Sequence, residues 1–324
     1  MKNGEISRRE FLRMAGGAAA AAVVLEEMGR LTAANAGRPQ KSRIVVVSHS
    51  GVMAGGWQGD EKIITTMLEA GIKELTGKST VRDAWASIIK PKDVVSAKYN
   101  QEGGASLRTR PLVRDWVRQS VLAVGVEPGN CVVWSKGDLE GDDRNWTDEY
   151  TLRSGMKTRL RGIFLRQTAF INLPVCKMHW GTGITVALKN HFGSIDNAGS
   201  FHDWEQNEGG AHLPPMWKSI GEINALEPIA KRTRLVICDV LRPLWEGGPG
   251  DVPRFRWDYN AIIFGTDPVA VDSLSCDILE EQRAKVAGRP WPAESGRKSV
   301  QYAASLGLGH VDKDWMDIVN VRLG

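Results

Sequence analysis

Between residues 168 and 199 the chain reads TAFINLPVCKMHWGTGITVALKNHFGSIDNAG, which places Lys177, His179, Lys189, Asn190 and His191 within one short stretch. A desolvated lysine becomes a base or a nucleophile. An imidazole beside it moves protons near neutral pH. Lys177, His179 and Lys189 are therefore the candidate catalytic residues. Two lysines near backbone N–H groups at a helix start would also hold a carboxylate or a phosphate. His179 and His202 are candidate ligands for a transition metal, with His212 and with Asp203 or Glu205 as further donors. None of these follows HExxH or another tight ligand spacing, so the same residues also fit a solvated loop of paired acids and histidines.

Further polar positions fall where strands should end. Lys98, Asn100, Asn190, Asp239 and Asp272 are candidate substrate-binding residues. Asn100 also fits a turn that closes a strand. Asp267 before Pro268 fits an N-cap, which leaves Asp272, five residues on, without that explanation. Trp180, Trp204, Trp217, Trp245 and Trp257 would either wall an apolar pocket or anchor loops and core.

Positioning these groups requires a set of elements that the hydrophobic pattern supplies. Thr168–Leu173 is a short apolar run stopped by Pro174, expected as a buried strand after which the chain leaves the sheet. Lys177 and His179 then lie in a loop, and Thr182 caps a helix expected over Gly183–Phe192. On that helix Ile184, Ala187, Leu188 and Phe192 form one stripe, Thr185 and Lys189 lie on another face, and His191 sits beside the stripe as a packed histidine. Strands are expected at 43–48, 93–98, 131–135, 234–239 and 260–264. Helices are expected at 60–75, 81–89, 111–124, 216–229 and from Asp267 to about 287, with a short helix or insert at 147–166. This alternation implies an α/β fold: a mainly parallel sheet covered by helices on both faces, with an irregular loop or small lobe around 200–215. His49, Asn100, His179 and Asp239 would then lie just beyond strand ends, where ligand crevices form in such sheets.

The 324 residues carry a formal charge of +4, part of it at the amino terminus, and show no basic stripe of the kind that binds nucleic acid. Ser7-Arg8-Arg9-Glu10-Phe11-Leu12-Arg13, an apolar segment Met14–Leu25 and the small residues Ala34-Asn35-Ala36 form a twin-arginine export pattern. Residues 1–36 are thus expected as a signal peptide cleaved after Ala36, with the Tat translocase as the partner in export. Residues 37–324 would form a single α/β domain in the periplasm or outside the cell. Glu26 and Glu27 end the apolar run well short of the ~20 residues a membrane span needs. Proteins exported folded often carry a cofactor inserted beforehand, so a transition metal or an organic cofactor is an open expectation. Cys131, Cys176, Cys238 and Cys276 stand singly, which gives no support to an iron-sulfur cluster.

Several of these segments together resemble a known family. Lys98-Tyr99-Asn100, Thr109-Arg110-Pro111, Pro174-x-x-Lys177-x-His179, Thr185-x-x-x-Lys189-Asn190-x-Phe192-Gly193, Glu246-Gly247-Gly248-Pro249 and Thr266-Asp267-Pro268-Val269-Ala270-Val271-Asp272 are similar to domain-of-unknown-function family 362, over about residues 93–280. The resemblance implies no general reaction. Some members of that family carry an added ferredoxin-like segment whose cysteine runs are absent from this sequence. The ten-residue spacing of His179 and Lys189 also resembles the nickel-pincer lactate racemases, where such a lysine holds the cofactor. The glycine-rich approach of those enzymes is replaced here by Thr185-Val186-Ala187-Leu188.

Two functional readings follow. One is an exported enzyme acting on a small anionic substrate, with Lys177, His179 and Lys189 central. The alternative is a noncatalytic periplasmic ligand-binding or cofactor-carrying protein using the same pocket. A purely structural role, in which these residues only buttress the 168–199 turn, predicts unfolding when they are replaced.

Overall fold

In a computed structural model, residues 41–202 and 215–324 are described. Residues 1–36, expected as a signal peptide, lie outside the described residues, as do Asp203, Trp204, Glu205 and His212.

The main sheet orders its strands as β11 (Met316–Arg322), β1 (Ser42–Ser48), β10 (Ala261–Gly265), β9 (Thr233–Leu244), β6 (Ala169–Leu173), β2 (Val95–Tyr99) and β3 (Cys131–Trp134). The strands pair in parallel except at β10, which runs antiparallel to both β1 and β9. β7 (Val175–His179) pairs in parallel with the far half of β9 and antiparallel with β8 (Gly183–Thr185). A separate hairpin joins β4 (Tyr150–Thr151) to β5 (Lys157–Thr158), inside the stretch read as a short helix or insert.

Period-two alternation sends each strand's apolar residues to both faces. Val45, Val47, Ala97, Ile171, Ile237 and Phe264 meet α1 (Glu61–Thr76), α2 (Val81–Ile88) and α3 (Pro111–Ala123) on one side. Ile44, Val46, Phe170, Val236 and Ile263 face the other side. There they meet α4 (Ala187–Asn190), α5 (Met216–Asn224), α6 (Pro268–Ala287) and α7 (Glu294–Ser305). The expected α/β sheet with helices on both faces is thus observed. Helix ends follow local rules: Asp60 accepts the backbone N–H of Lys62 and Ile63 at the start of α1, Gly77 closes it with φ 67°, and Asp267 caps α6. Among the described residues no helix is long and apolar enough to cross a membrane. All four cysteines are buried free thiols.

Around the candidate site the fold departs from expectation. The chain does not leave the sheet at Pro174. The Pro174 carbonyl accepts the Asp239 N–H at 2.9 Å, so the ladder along β9 resumes at Val175, and Lys177 and His179 lie on a strand. No helix spans 183–192. Gly183, at φ 79°, turns the chain back onto β7, pairing His179 with Gly183 and Lys177 with Thr185. A side chain at Gly183 would sit 2.1 Å from the Gly296 nitrogen, so α7 packs tightly there. Ile184, Thr185 and Val186 are β-branched and favour that extended path. Thr182 is not an N-cap, since its hydroxyl donates to the Ile184 carbonyl. Helix α4 begins only at Ala187 and spans four residues.

Candidate functional site

The sheet presents a cavity of about 380 Å³ beyond the carboxyl ends of β2, β3 and β7. Lys98 and Asn100 come from β2 and its exit, Ser135 and Lys136 follow β3, and Lys177 and His179 come from β7. Thr185, Lys189 and Asn190 line it from β8 and α4, and Phe192, Gly193, Ala198 and His202 close it. Every candidate catalytic residue lines this cavity, together with Lys98, Asn100, Asn190 and His202 from the binding and metal expectations.

Lys98, Lys177 and Lys189 are 2%, 0% and 8% exposed. Among the described residues none of the three forms a salt bridge. Burial is the first cause that lowers their pKa values, to about 7 for Lys98, about 8 for Lys177 and about 7 for Lys189. The neighbouring ammonium groups of Lys177 and Lys98 lower Lys189 further, and Glu102 opposes them. The reading of Lys177 and Lys189 as surface lysines is therefore set aside.

Hydrogen bonds distinguish the three amines. Lys177 Nζ donates to Asn100 Oδ1 at 3.1 Å, the Glu102 carbonyl at 2.5 Å and the Leu107 carbonyl at 3.4 Å. Three acceptors match three ammonium protons. Lys98 Nζ donates to Asn190 Oδ1 at 3.1 Å and to the Tyr99 carbonyl at 3.4 Å. Asn190 is held in turn by Nδ2 contacts to Asn172 Oδ1 at 2.7 Å and to the Lys98 carbonyl. Lys189 Nζ lies 2.8 Å from His202 Nε2 and 3.9 Å from the centroid of the Phe192 ring.

Backbone partners assign both imidazoles. His202 Nδ1 lies 2.6 Å from the Ala198 carbonyl, which only accepts, so Nδ1 carries the proton and Nε2 accepts from Lys189. His179 Nδ1 accepts the N–H groups of Gly181 and Thr182 at 3.1 and 3.2 Å, which puts its proton on Nε2. Burial, then Lys189, His202 and Lys177, lower the His179 pKa to about 3, so it serves as a neutral N–H donor. Thr185 Oγ1 is a buried cavity hydroxyl with no hydrogen-bond partner among the described residues.

Other expected residues are placed elsewhere. Asp239 pairs with buried Arg110 and accepts the Leu241 N–H, outside the cavity lining. Asp272 accepts the N–H of Ala187 at 2.8 Å and of Leu188 at 3.1 Å. It is the cap of α4, reached from α6, so those N–H groups are taken and the helix start is not an anion site. Burial raises the Asp272 carboxyl to about 8 against these two bonds. His49, two strands from β9 across β10, accepts the Gly51 N–H and does not line the cavity. His191 packs against Phe170, ring centroids 4.8 Å apart, as the apolar stripe suggested. Trp180 lines the cavity, whereas Trp245 packs on Phe255 and Trp217 on Tyr302.

Glu102, Ser135 and Lys136 also line the cavity but lie in loops without a residue pattern that would mark them. A transition metal at His179 and His202 fits the donor set poorly. His179 Nδ1 and His202 Nε2 are both engaged, cations surround the pair, and among the described residues no group of three His, Cys, Asp or Glu is suited to a metal.

A search of curated proteins finds none that matches the chain. Among solved structures, the crystal structure of a Thermotoga maritima protein is 12% identical, with a TM-score of 0.37. That alignment covers 77% of this chain and 60% of the other. Residues 137–277 match the family model described as Domain of unknown function (DUF362), a shorter span than the 93–280 suggested by the motifs. Lys98 and Asn100 fall before it, while Lys177, His179, Lys189, Asn190 and His202 fall within the segment that is similar to DUF362.

Proposed function

We propose that this cavity is the active site of an exported enzyme that moves a proton on a small anionic substrate. The observation that carries the reading is the convergence of buried Lys98, Lys177 and Lys189 on one cavity without a carboxylate ion pair among the described residues. The Glu102 carboxylate lines the same cavity and opposes the lowering at all three lysines, but one carboxylate does not balance three buried amines, and a bound anion offsets part of the remaining desolvation penalty. Lys177, whose three hydrogen bonds hold it as an ammonium, supplies positive charge, and His179 Nε2–H and the Thr185 hydroxyl supply neutral donors. Lys189, with a pKa of about 7, is partly uncharged at neutral pH, which suits a base or a nucleophile.

Isothermal titration of the folded chain with oxalate and with inorganic phosphate tests the binding. Saturable uptake of one anion per chain is expected, at least tenfold weaker in Lys189→Met and in Lys177→Met while both variants keep a cooperative unfolding transition. No uptake of either anion removes the reading. Deuterium exchange at the carbon beside the carboxylate, followed by NMR over a panel of small hydroxy acids, then tests catalysis. Binding without exchange across the panel would make the chain a ligand-binding protein instead. Native mass spectrometry and elemental analysis of the same preparation read the cofactor expectation, as a metal or an added mass lost in Lys189→Met.

Export to the periplasm or beyond rests on Ser7 to Arg13 and the apolar segment that follows. Arg8→Lys combined with Arg9→Lys is expected to retain the protein in the cytoplasm, as read by cell fractionation. Unchanged export of the double variant would overturn it.

A further inference from the structure

We propose that Lys189 acts as a nucleophile, its amine condensing with the carbonyl of a small 2-oxo acid to form an imine, while Lys177 remains an ammonium whose charge attracts the acid's carboxylate. This rests on the reading of the cavity as an anion site and names the class of anion.

The assignment comes from counting acceptors around each amine. Lys177 faces three oxygens and uses all three of its protons on them, so its nitrogen has no lone pair to offer. Lys98 faces two oxygens, which would occupy both N–H groups of its neutral amine, lies 5.6 Å from the Trp134 ring, and at 2% exposed against 8% for Lys189 is the less accessible of the two amines. Lys189 has one hydrogen-bond partner among the described residues, and that partner is an imidazole nitrogen whose ring proton is committed to the Ala198 carbonyl. A neutral Lys189 amine therefore donates one N–H to His202 and keeps its lone pair. The Phe192 ring lies 3.9 Å from the nitrogen, a contact that attracts an ammonium, so the uncharged form is favoured by burial and by the neighbouring lysines and not by this ring. The low pKa of Lys189 agrees with this geometry.

The step balances without a redox partner. The Lys189 lone pair forms a bond to the carbonyl carbon, and the carbonyl π pair goes to oxygen, which takes up one proton lost from nitrogen. The resulting carbinolamine loses its hydroxyl as water with the second amine proton, and the nitrogen pair completes the C=N bond. His202 Nε2, the acceptor already in contact with Nζ, is placed to pass those protons from nitrogen to oxygen. Borohydride added to the imine delivers hydride to carbon and leaves a stable secondary amine.

The test is reductive trapping on the folded full chain with pyruvate and borohydride, followed by peptide mapping. The expected result is one carboxyethyl group per chain, on the peptide containing Lys189, formed at least tenfold faster than on any other lysine. Acetone, which has the carbonyl but no carboxylate, should label slowly, and inorganic phosphate should compete with pyruvate. Lys189→Arg should lose the label, and the wild-type map keeps the result decisive if that variant unfolds. Label spread evenly over the lysines, or concentrated on another one, overturns the proposal. Pyruvate uptake by titration without any label overturns the imine and leaves the anion site standing. Absence of both uptake and label overturns the two together.

Discussion

The pH behaviour of the site belongs to its lysines and not to His179. With a pKa near 3, the His179 ring carries no charge through the neutral range, and its Nδ1 is occupied by two backbone N–H groups. Lys98, Lys177 and Lys189 titrate at about 7, 8 and 7. An anion binds the ammonium form, so each lysine found neutral must take up a proton on binding. Affinity for oxalate, whose charge is constant in this window, should thus fall as pH rises through 7 to 9. The loss approaches about tenfold per pH unit for each ammonium that must be restored. Titration at a series of pH values measures it, and a profile breaking near 6.5 would return the role to a histidine. His202 acts on Lys189 as the acceptor that relays its protons in the imine step. His202→Leu should slow pyruvate trapping at Lys189 while leaving the break in the oxalate profile above pH 7, a separation that general unfolding would not produce.

At the level of elements, α4 is too short to be a helix on its own account. Nucleating a turn is unfavourable, and four residues repay little of it. Asp272, reaching from α6, satisfies both leading N–H groups, and Asn172 Nδ2 binds the Ala187 carbonyl at 2.8 Å. Asp272→Asn places an NH₂ group opposite one of those N–H donors, leaving a buried donor without a partner. It should cost about 1–3 kcal/mol, read as a lower urea midpoint, and weaken oxalate through displaced Lys189 and Asn190. The same dependence explains what could be read from the sequence. α1 and α6 were legible because Asp60, Gly77, Asp267 and Pro268 are local signals, and β6 because its run is apolar except for Asn172 and is bounded by Pro174. The helix expected at 183–192 matched a 3.6-residue stripe, but Gly183 and a β-branched run favoured pairing with β7, and the true cap lies more than eighty residues away in sequence. Lys177, His179 and Lys189 were found by residue type. That they are buried on strand and helix, and that Asp239 and Asp272 serve Arg110 and α4, are tertiary facts without a local signal.

Across the whole molecule, a two-faced sheet core lets the fold tolerate charged groups held away from their ordinary ionisation, at a cost that depends on pH. His179 and His191 both sit near pKa 3, His191 because it is buried first of all and because Lys98 lies nearby. Between pH 6.5 and 3 the unfolded chain binds protons that the folded one refuses, so stability falls on acidification, by at most about 1.4 kcal/mol per pH unit for each histidine. The lysines act on the alkaline side. Their folded pKa values lie below the ordinary 10.5, so above about pH 8 the unfolded chain again holds more protons, and stability rises with pH. Asp272, raised to about 8, opposes this only below that value, and the raised thiols of Cys176, Cys238 and Cys276 oppose it only once the unfolded thiols ionise near 9. From pH 8 to 9 the three lysines therefore outweigh these opposing groups, to which the raised Cys131 thiol also belongs. Urea midpoints should increase across this window, and less so in Lys98→Met, which removes one of the three groups. Oxalate discriminates between a functional cluster and a merely tolerated one. If it binds among the ammonium groups it restores their protons in the folded state, and at saturation the rise from pH 8 to 9 should flatten. A rise of equal size with and without oxalate would place the anion elsewhere and leave the buried lysines a structural peculiarity of the sheet.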